Sequence, residues 1–256
     1  MAQASQTECA SIKPCEVTGG AYYALPPAGW DGQSALPITV FFHGYGATAK
    51  AMTEYRDLTQ AFSDAGVLLI LPDGVGKTWA HVGSPSQRRD ELTFMDAVLA
   101  DTRRRWPVDE KRVWASGFSQ GGSMAWDIAC YRGDEYTAFF PVAGAFWRPL
   151  PQRCPGGPVN LRHIHGLSDT VVPIRGRPIA GRFHQGDVNQ AMTLLREGDG
   201  CPAEPPRIEQ QNGLSCEVWD QCASGKELQL CLHDGGHMMP SGWVSDAVRW
   251  AETLVK

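Results

Sequence analysis

The run Val113-Trp114-Ala115-Ser116-Gly117-Phe118-Ser119-Gln120-Gly121-Gly122 constrains the fold of this chain more than any other stretch. An apolar strand pattern runs into a serine with a glycine two residues to either side, and a helical pattern follows at once, over about 121–131. A chain that reverses this sharply at a non-glycine residue needs strained backbone angles there and small neighbours where strand and helix approach. Such a serine projects its hydroxyl above the end of a sheet, beside the unpaired N–H groups of the helix start. Gly-x-Ser-x-Gly is common by chance, so its meaning depends on the strand before it and the helix after it.

The rest of the chain supplies that context. Apolar strand runs at 38–42, 67–71, 112–115, 139–143 and 160–165 alternate with helical stripes at 47–65, at Leu92, Met95, Leu99 and Thr102, and at 243–255. This alternation predicts an α/β architecture with a mostly parallel central sheet flanked by helices on both faces. A polar loop over 75–89 carries Trp79 and His81. The segment 175–211 is polar and rich in Gly, Pro and Arg, with a short helix near 187–196. An insertion beside the sheet, over about 174–226, is therefore expected, contributing to a wall of the active site.

At 256 residues the chain has the size of a single α/β domain, read as 1–256. The net charge of −5 and the absence of any basic run longer than Arg103-Arg104-Arg105 argue against nucleic acid as a partner. No stretch has the 18 or so consecutive apolar residues of a membrane span, and Met1–Gln6 lacks the apolar segment of a signal peptide. Eight cysteines with no Cys-x-x-Cys pair point to disulfides and an oxidising compartment. The expectation is a secreted or periplasmic protein whose signal peptide is absent from this chain. Cys216 and Cys231 sit symmetrically about a turn at Ala223-Ser224-Gly225 and can face each other across a hairpin. Cys9 with Cys15 reads as a local clip, leaving Cys130 with Cys154 and Cys201 with Cys222.

A serine hydroxyl needs a base to take its proton and an acid to orient that base. Asp169, in His165-Gly166-Leu167-Ser168-Asp169, follows a buried strand and is the expected acid. His237 lies in the loop after the last strand, beside Gly235 and Gly236, and is the expected base; His233 falls at the strand end instead. The expected oxyanion donors are the amides of Gln120 and of Tyr45 in the His43-Gly44-Tyr45-Gly46 turn. Trp79, Trp147 and Trp243, with Phe146, are candidates to line an aromatic substrate cleft. His163 and His165 share a strand face, but no third ligand accompanies them, so no metal is expected and burial in the sheet is the simpler reading.

Taken together, Phe42-His43-Gly44, Leu71-Pro72-Asp73-Gly74, Trp79, Gly117-Phe118-Ser119-Gln120-Gly121-Gly122, Pro141-Val142-Ala143-Gly144, His165-Gly166-Leu167-Ser168-Asp169 and Gly235-Gly236-His237 resemble an α/β-hydrolase serine esterase of the polyhydroxybutyrate depolymerase and feruloyl esterase type. The resemblance covers most of the chain. It implies a cofactor-free serine esterase acting on short-chain hydroxyalkanoate, hydroxycinnamoyl or acetyl esters, presented as small molecules or on a polymer. Polymer depolymerases of this kind generally add a linker and an adhesion domain, whereas this chain ends soon after His237. Members also often carry Trp-Pro after the histidine, where Met238-Met239-Pro240 stands here. The alternatives are a polyhydroxybutyrate depolymerase, a peptidase using the same three residues, or a non-catalytic glycan- or polymer-binding protein on a hydrolase scaffold.

Overall fold

The structure, a computed structural model, describes residues 9–205 and 207–255. Residues 1–8, on which the expectation about a signal peptide rests, lie outside the described residues. In chain order the strands are β1 (Cys15–Val17), β2 (Gly20–Leu25), β3 (Leu36–Phe42), β4 (Leu68–Pro72), β5 (Val108–Phe118), β6 (Ala138–Val142), β7 (Leu161–Gly166), β8 (Pro178–Ile179), β9 (Phe183–His184), β10 (Arg207–Gln211), β11 (Leu214–Trp219) and β12 (Leu228–His233). The helices are α1 (Ala49–Glu54), α2 (Arg56–Asp64), α3 (Glu91–Arg105), α4 (Gln120–Tyr131), α5 (Val188–Asp199) and α6 (Trp243–Thr253).

Ten strands form one sheet in the order β1-β2-β4-β3-β5-β6-β7-β12-β11-β10. The central run β4-β3-β5-β6-β7-β12 is parallel throughout, with antiparallel strands at both edges. Continuous apolar runs explain the centre: every residue of β4, β6 and β7 is buried, as a strand covered on both faces requires. One apolar cluster joins α3, α4 and α5 to one face, through Phe94, Met124 and Val188 among others. A second joins α2 and α6 to the other face, through Leu58, Phe62, Trp243 and Ala247.

Local chemistry sets the helix ends. The Asp90 carboxylate accepts the Leu92 and Thr93 N–H groups at the start of α3, and Asp187 accepts those of Asn189 and Gln190 at the start of α5. The α3 helix stops at Arg105 because Trp106, extended at φ −122°, precedes Pro107. The helix expected over 47–65 is two helices, broken at Tyr55, whose ψ of 89° is not helical.

The expected insertion over 174–226 is corrected by the structure. Only the β8–β9 hairpin forms a separate small sheet. The apolar side of α5, including Val188, Ala191 and Leu195, belongs to the core, and β10 and β11 extend the main sheet. The polarity of 207–211 reflects an edge strand rather than a loop.

Disulfides join Cys9 to Cys15, Cys130 to Cys154, Cys201 to Cys222 and Cys216 to Cys231. The last pair is directly opposed in the β11–β12 register. Replacing Cys216 and Cys231 together by alanine removes a cross-link across a separation of 15 residues, and urea denaturation is expected to show a loss of about 3 kcal/mol.

Candidate active site

The loops after β3, β5, β7 and β12 meet at the carboxyl ends of the parallel strands. The reversal after β5 places Ser119 at φ 59° and ψ −122°, a conformation that L residues avoid. Two backbone bonds hold it, Ser119 N–H to the Val142 carbonyl at 2.9 Å and Ser123 N–H to the Ser119 carbonyl at 3.0 Å. The second is the first bond of α4, so Gln120, Gly121 and Gly122 have no intrahelical acceptor for their N–H groups. Glycine at 121 is obligatory, because a Cβ there would lie 1.9 Å from the Phe42 carbonyl oxygen.

His237 starts on the far side of the site. Three strand spacings separate β5 from β12, about 14 Å at the usual sheet spacing. The Gly235-Gly236-His237 loop closes that gap by lying across the end of β7, where a Cβ on Gly166 would fall 2.3 Å from the Gly235 and Gly236 carbonyl oxygens. Leu167 and Ser168 N–H groups donate to the His233 and Gly235 carbonyls, tying the two loops together. In this position His237 Nε2 is 2.8 Å from Ser119 Oγ, and His237 Nδ1 is 2.7 Å from Asp169 Oδ2. His233 has a different place, with its Nδ1 accepting the Gly235 N–H within the turn.

Asp169 is buried, and its other oxygen, Oδ1, accepts the Val171 and Val172 N–H groups at 2.8 Å each. Behind it runs a directional hydrogen-bond chain. Trp126 Nε1–H can only donate, so His163 Nδ1 accepts, at 3.3 Å. His163 Nε2–H then donates to His165 Nδ1 at 2.9 Å, and His165 Nε2–H to the Val172 carbonyl at 2.7 Å. Both ring nitrogens of both histidines are engaged, leaving no lone pair for a metal. Burial holds His165 below the usual imidazole range and His163 well below it, so both are neutral.

The turn after β3 is fixed as firmly. His43 Nδ1–H donates to the Gly44 carbonyl and Nε2 accepts the Gly74 N–H, a neutral state that burial favours. Gly44 runs against the serine, since a Cβ on it would sit 3.5 Å from Ser119 Cβ. The Tyr45 side chain is 78% exposed at the rim. Trp79, expected in the substrate cleft, is instead fully buried: its Nε1–H donates to the His43 carbonyl, and its ring packs edge-on against Phe42. Trp243 is also displaced from expectation. It opens α6 on the other face of the sheet, packed against Phe41 and Phe62. Phe146 is buried against Trp126.

Trp147 does border the cleft, a cavity of about 510 Å³ that opens on Ser119 and Gln120. It stacks on His81, whose Nδ1 is 2.6 Å from Asp127 Oδ2 on α4. The Gln120 side chain is held by the Thr78 hydroxyl. Arg88, Arg177, Ile179 and Gln185 also line the cavity. None of these four was singled out from sequence; the polar, Arg-rich character of 75–89 and 175–185 was the available signal, and the second stretch does form part of the wall.

No family model matches the chain. Over 232 residues it is 25% identical to feruloyl esterase B of Piromyces equi, a match covering 84% of this chain and 42% of that protein. It is 24% identical over 230 residues to feruloyl esterase C of Emericella nidulans, covering 87% of this chain and 77% of the relative. Among solved structures, an acetyl xylan esterase from Aspergillus awamori superposes with a TM-score of 0.66 at 14% identity, covering 91% of this chain and 93% of that one. The chain has the α/β-hydrolase fold and is similar in sequence to feruloyl esterases. It spans less than half the length of the Piromyces relative. The depolymerase side of the resemblance rests on the sequence motifs, since these relatives carry feruloyl esterase names.

The buried polar groups of this chain have two measurable consequences. His43, His163 and His165 are neutral when folded, whereas the unfolded chain takes up protons on imidazole as pH falls below about 6.5. Their stabilisation is therefore complete above that pH and lost below it. Asp199, raised by burial to about 6, acts in the opposite sense and only at lower pH. The thermal midpoint is expected to fall between pH 7.5 and 6, roughly the upper part of the imidazole range. Trp79→Phe keeps an aromatic ring but removes the pyrrole half of the indole, and with it the N–H that holds the His43 carbonyl; at this fully buried site chemical denaturation is expected to show a loss of about 2–3 kcal/mol.

Proposed function

We propose that this protein hydrolyses carboxylic esters through an acyl-enzyme formed on Ser119. The observation that carries the reading is the unbroken hydrogen-bond line from Ser119 Oγ through His237 to the buried Asp169, at 2.8 and 2.7 Å. His237 Nε2 takes the hydroxyl proton as Ser119 Oγ attacks the ester carbonyl. The resulting oxyanion is held by the N–H of Gln120, at the head of α4, and by that of Tyr45, in the turn packed against the serine. Collapse expels the alcohol, which takes the proton back from His237. Water activated by the same imidazole then releases the acid and frees the serine. Asp169 keeps the proton of neutral His237 on Nδ1 and stabilises the imidazolium that forms in each step.

The substrate class follows from the cleft and the relatives together. A cavity with Trp147, Val172 and Ile179 among its walls suits an aromatic or short aliphatic acyl group, and the relatives' names include feruloyl and acetyl xylan esterase. Hydroxycinnamoyl and acetyl esters are thus the favoured substrates, with short hydroxyalkanoates next. A polymeric substrate such as polyhydroxybutyrate is a second reading. It is supported by exposed Tyr45, Leu167, Val171 and Met238, apolar residues from the loops around the site. Four disulfides favour an oxidising compartment outside the cytoplasm as the place of action.

A serine-directed fluorophosphonate is expected to label Ser119 in the folded protein and not the Ser119→Ala variant, which should lose turnover by at least about 10⁴-fold. Methyl ferulate, 4-nitrophenyl acetate and a hydroxybutyrate oligomer, compared by kcat/KM, order the three substrate readings. Absence of label on the native protein, with hydrolysis of none of the three, would overturn the esterase reading; cleavage of a peptide alone would replace it with a peptidase.

A further inference from the structure

The walls of the cleft carry an electrostatic asymmetry that simple feruloyl or acetyl ester hydrolysis does not use. Arg88 and Arg177 line the cavity, and no acidic residue is among its lining residues. Elsewhere in this chain of net charge −5, Arg89, Arg103, Arg104, Arg105, Arg112, Arg132, Arg207 and Arg249 each have a carboxylate partner. Among the described residues Arg88 and Arg177 have none within ion-pair distance, nor do Arg148, Arg175 and Arg182 in the adjoining segments or Arg56, Arg153, Arg162 and Arg196 elsewhere; Arg88 and Arg177 are the two that line the cavity beside Ser119.

The two lining arginines differ in setting: Arg88 is exposed, whereas Arg177 is tied to the backbone. The Arg88 guanidinium rests on Gly76, where a Cβ would come within 2.0 Å of its Nη1. Arg177 Nε–H donates to the Val171 carbonyl at 2.8 Å, which fixes it to the same loop whose amides hold Asp169. Its terminal nitrogens have no acceptor among the described residues. Two further cavity-lining groups are unpaired although their atoms are buried, Ser86 Oγ and Gln185 Oε1. A hydroxyl and two guanidiniums lining one cavity with no carboxylate among them make a donor-rich wall, the complement of a carboxylate. Gln185 Oε1 adds one acceptor, suited to a neighbouring substrate hydroxyl.

We propose that the cleft beside Ser119 selects esters bearing a carboxylate, bound by Arg88 and Arg177 with Ser86 as an additional donor. The proposal rests on the ester-hydrolase reading and adds the charge of the substrate. The carboxylate is a spectator in the reaction: the ester C–O bond breaks and the acyl–Oγ bond forms as above, while the anion stays on either the acyl or the alcohol side and anchors it. Arg88 and Arg177 are binding residues in this scheme, so their effect belongs in KM and in salt dependence.

Carboxylate esters and their neutral carboxamide isosteres test this directly. The 4-nitrophenyl monoester of adipic acid against that of adipamic acid reports an acyl-side anion; 4-carboxyphenyl butyrate against 4-carbamoylphenyl butyrate reports an alcohol-side one. In at least one pair the carboxylate is expected to be preferred about tenfold in kcat/KM at low salt, mainly through KM, with the preference largely lost in about 0.5 M NaCl. Arg88→Gln and Arg177→Gln should each reduce that preference several-fold, whereas Arg249→Gln, on α6, should leave the ratio as it is. The salt titration of the native protein needs no variant, so the outcome does not depend on how the substitutions fold. A ratio at or below one in both pairs, or a preference insensitive to salt and to both arginines, overturns the proposal while hydrolysis of the amides leaves the esterase reading standing. Hydrolysis of none of the four, together with no phosphonate label, overturns both.

Discussion

The contact between Gly121 and the end of β3 is the constraint on which the site depends. With hydrogen in place of a side chain, the first turn of α4 presses against the Phe42 carbonyl, and the chain reverses at Ser119 within a single residue. That proximity lifts the hydroxyl above the sheet. It also brings the start of α4 alongside the His43-Gly44-Tyr45 turn, so unpaired amides and the hydroxyl share one small volume. The strain at Ser119, of order 1–3 kcal/mol for such a conformation, is sustained by hydrogen bonds on both sides of it.

A second constraint lies beneath the site. The sheet interior carries a polar thread, from Trp126 through His163 and His165 to the Val172 carbonyl, and the amide of Val172 reaches Asp169. An indole that can only donate sets the direction of every hydrogen bond that follows. The thread keeps two buried imidazoles neutral and satisfied, and it holds the loop carrying the acid at its carbonyl and its amide together. In this way the packing of α4 against the sheet positions both ends of the candidate machinery, the serine at its first turn and, through Trp126, the acid.

The parallel core and the Gly-x-Ser-x-Gly reversal were legible in the sequence because both are local. A buried parallel strand must be an unbroken apolar run, and a tight strand-to-helix turn must have small residues beside it. Asp169 and His237 were legible by their order after successive strands, and the hairpin spacing of Cys216 and Cys231 by its symmetry. Trp79 and Trp243 misled for a common reason. A large aromatic near a motif in sequence can face the cleft or the core, and which one it faces depends on the path of the loop carrying it. Trp79 turns inward because its N–H is the partner of the His43 carbonyl, and Trp243 lies across the sheet because α6 covers the opposite face. The segment 174–226 misled in the same manner, since edge strands such as β10 are polar and read like loop.

By itself, then, the sequence determined the layered α/β fold, the strained serine turn and the order of serine, acid and histidine, because periodicity, small residues and chain order are properties of neighbouring positions. Only the tertiary structure decided that Trp79 and Trp243 lie away from the cleft, how the buried histidine pair is hydrogen-bonded between Trp126 and Val172, and which arginines lack acidic partners in the cleft. Those outcomes depend on groups distant in sequence meeting in space, which strand order and the paths of the loops set rather than any local pattern.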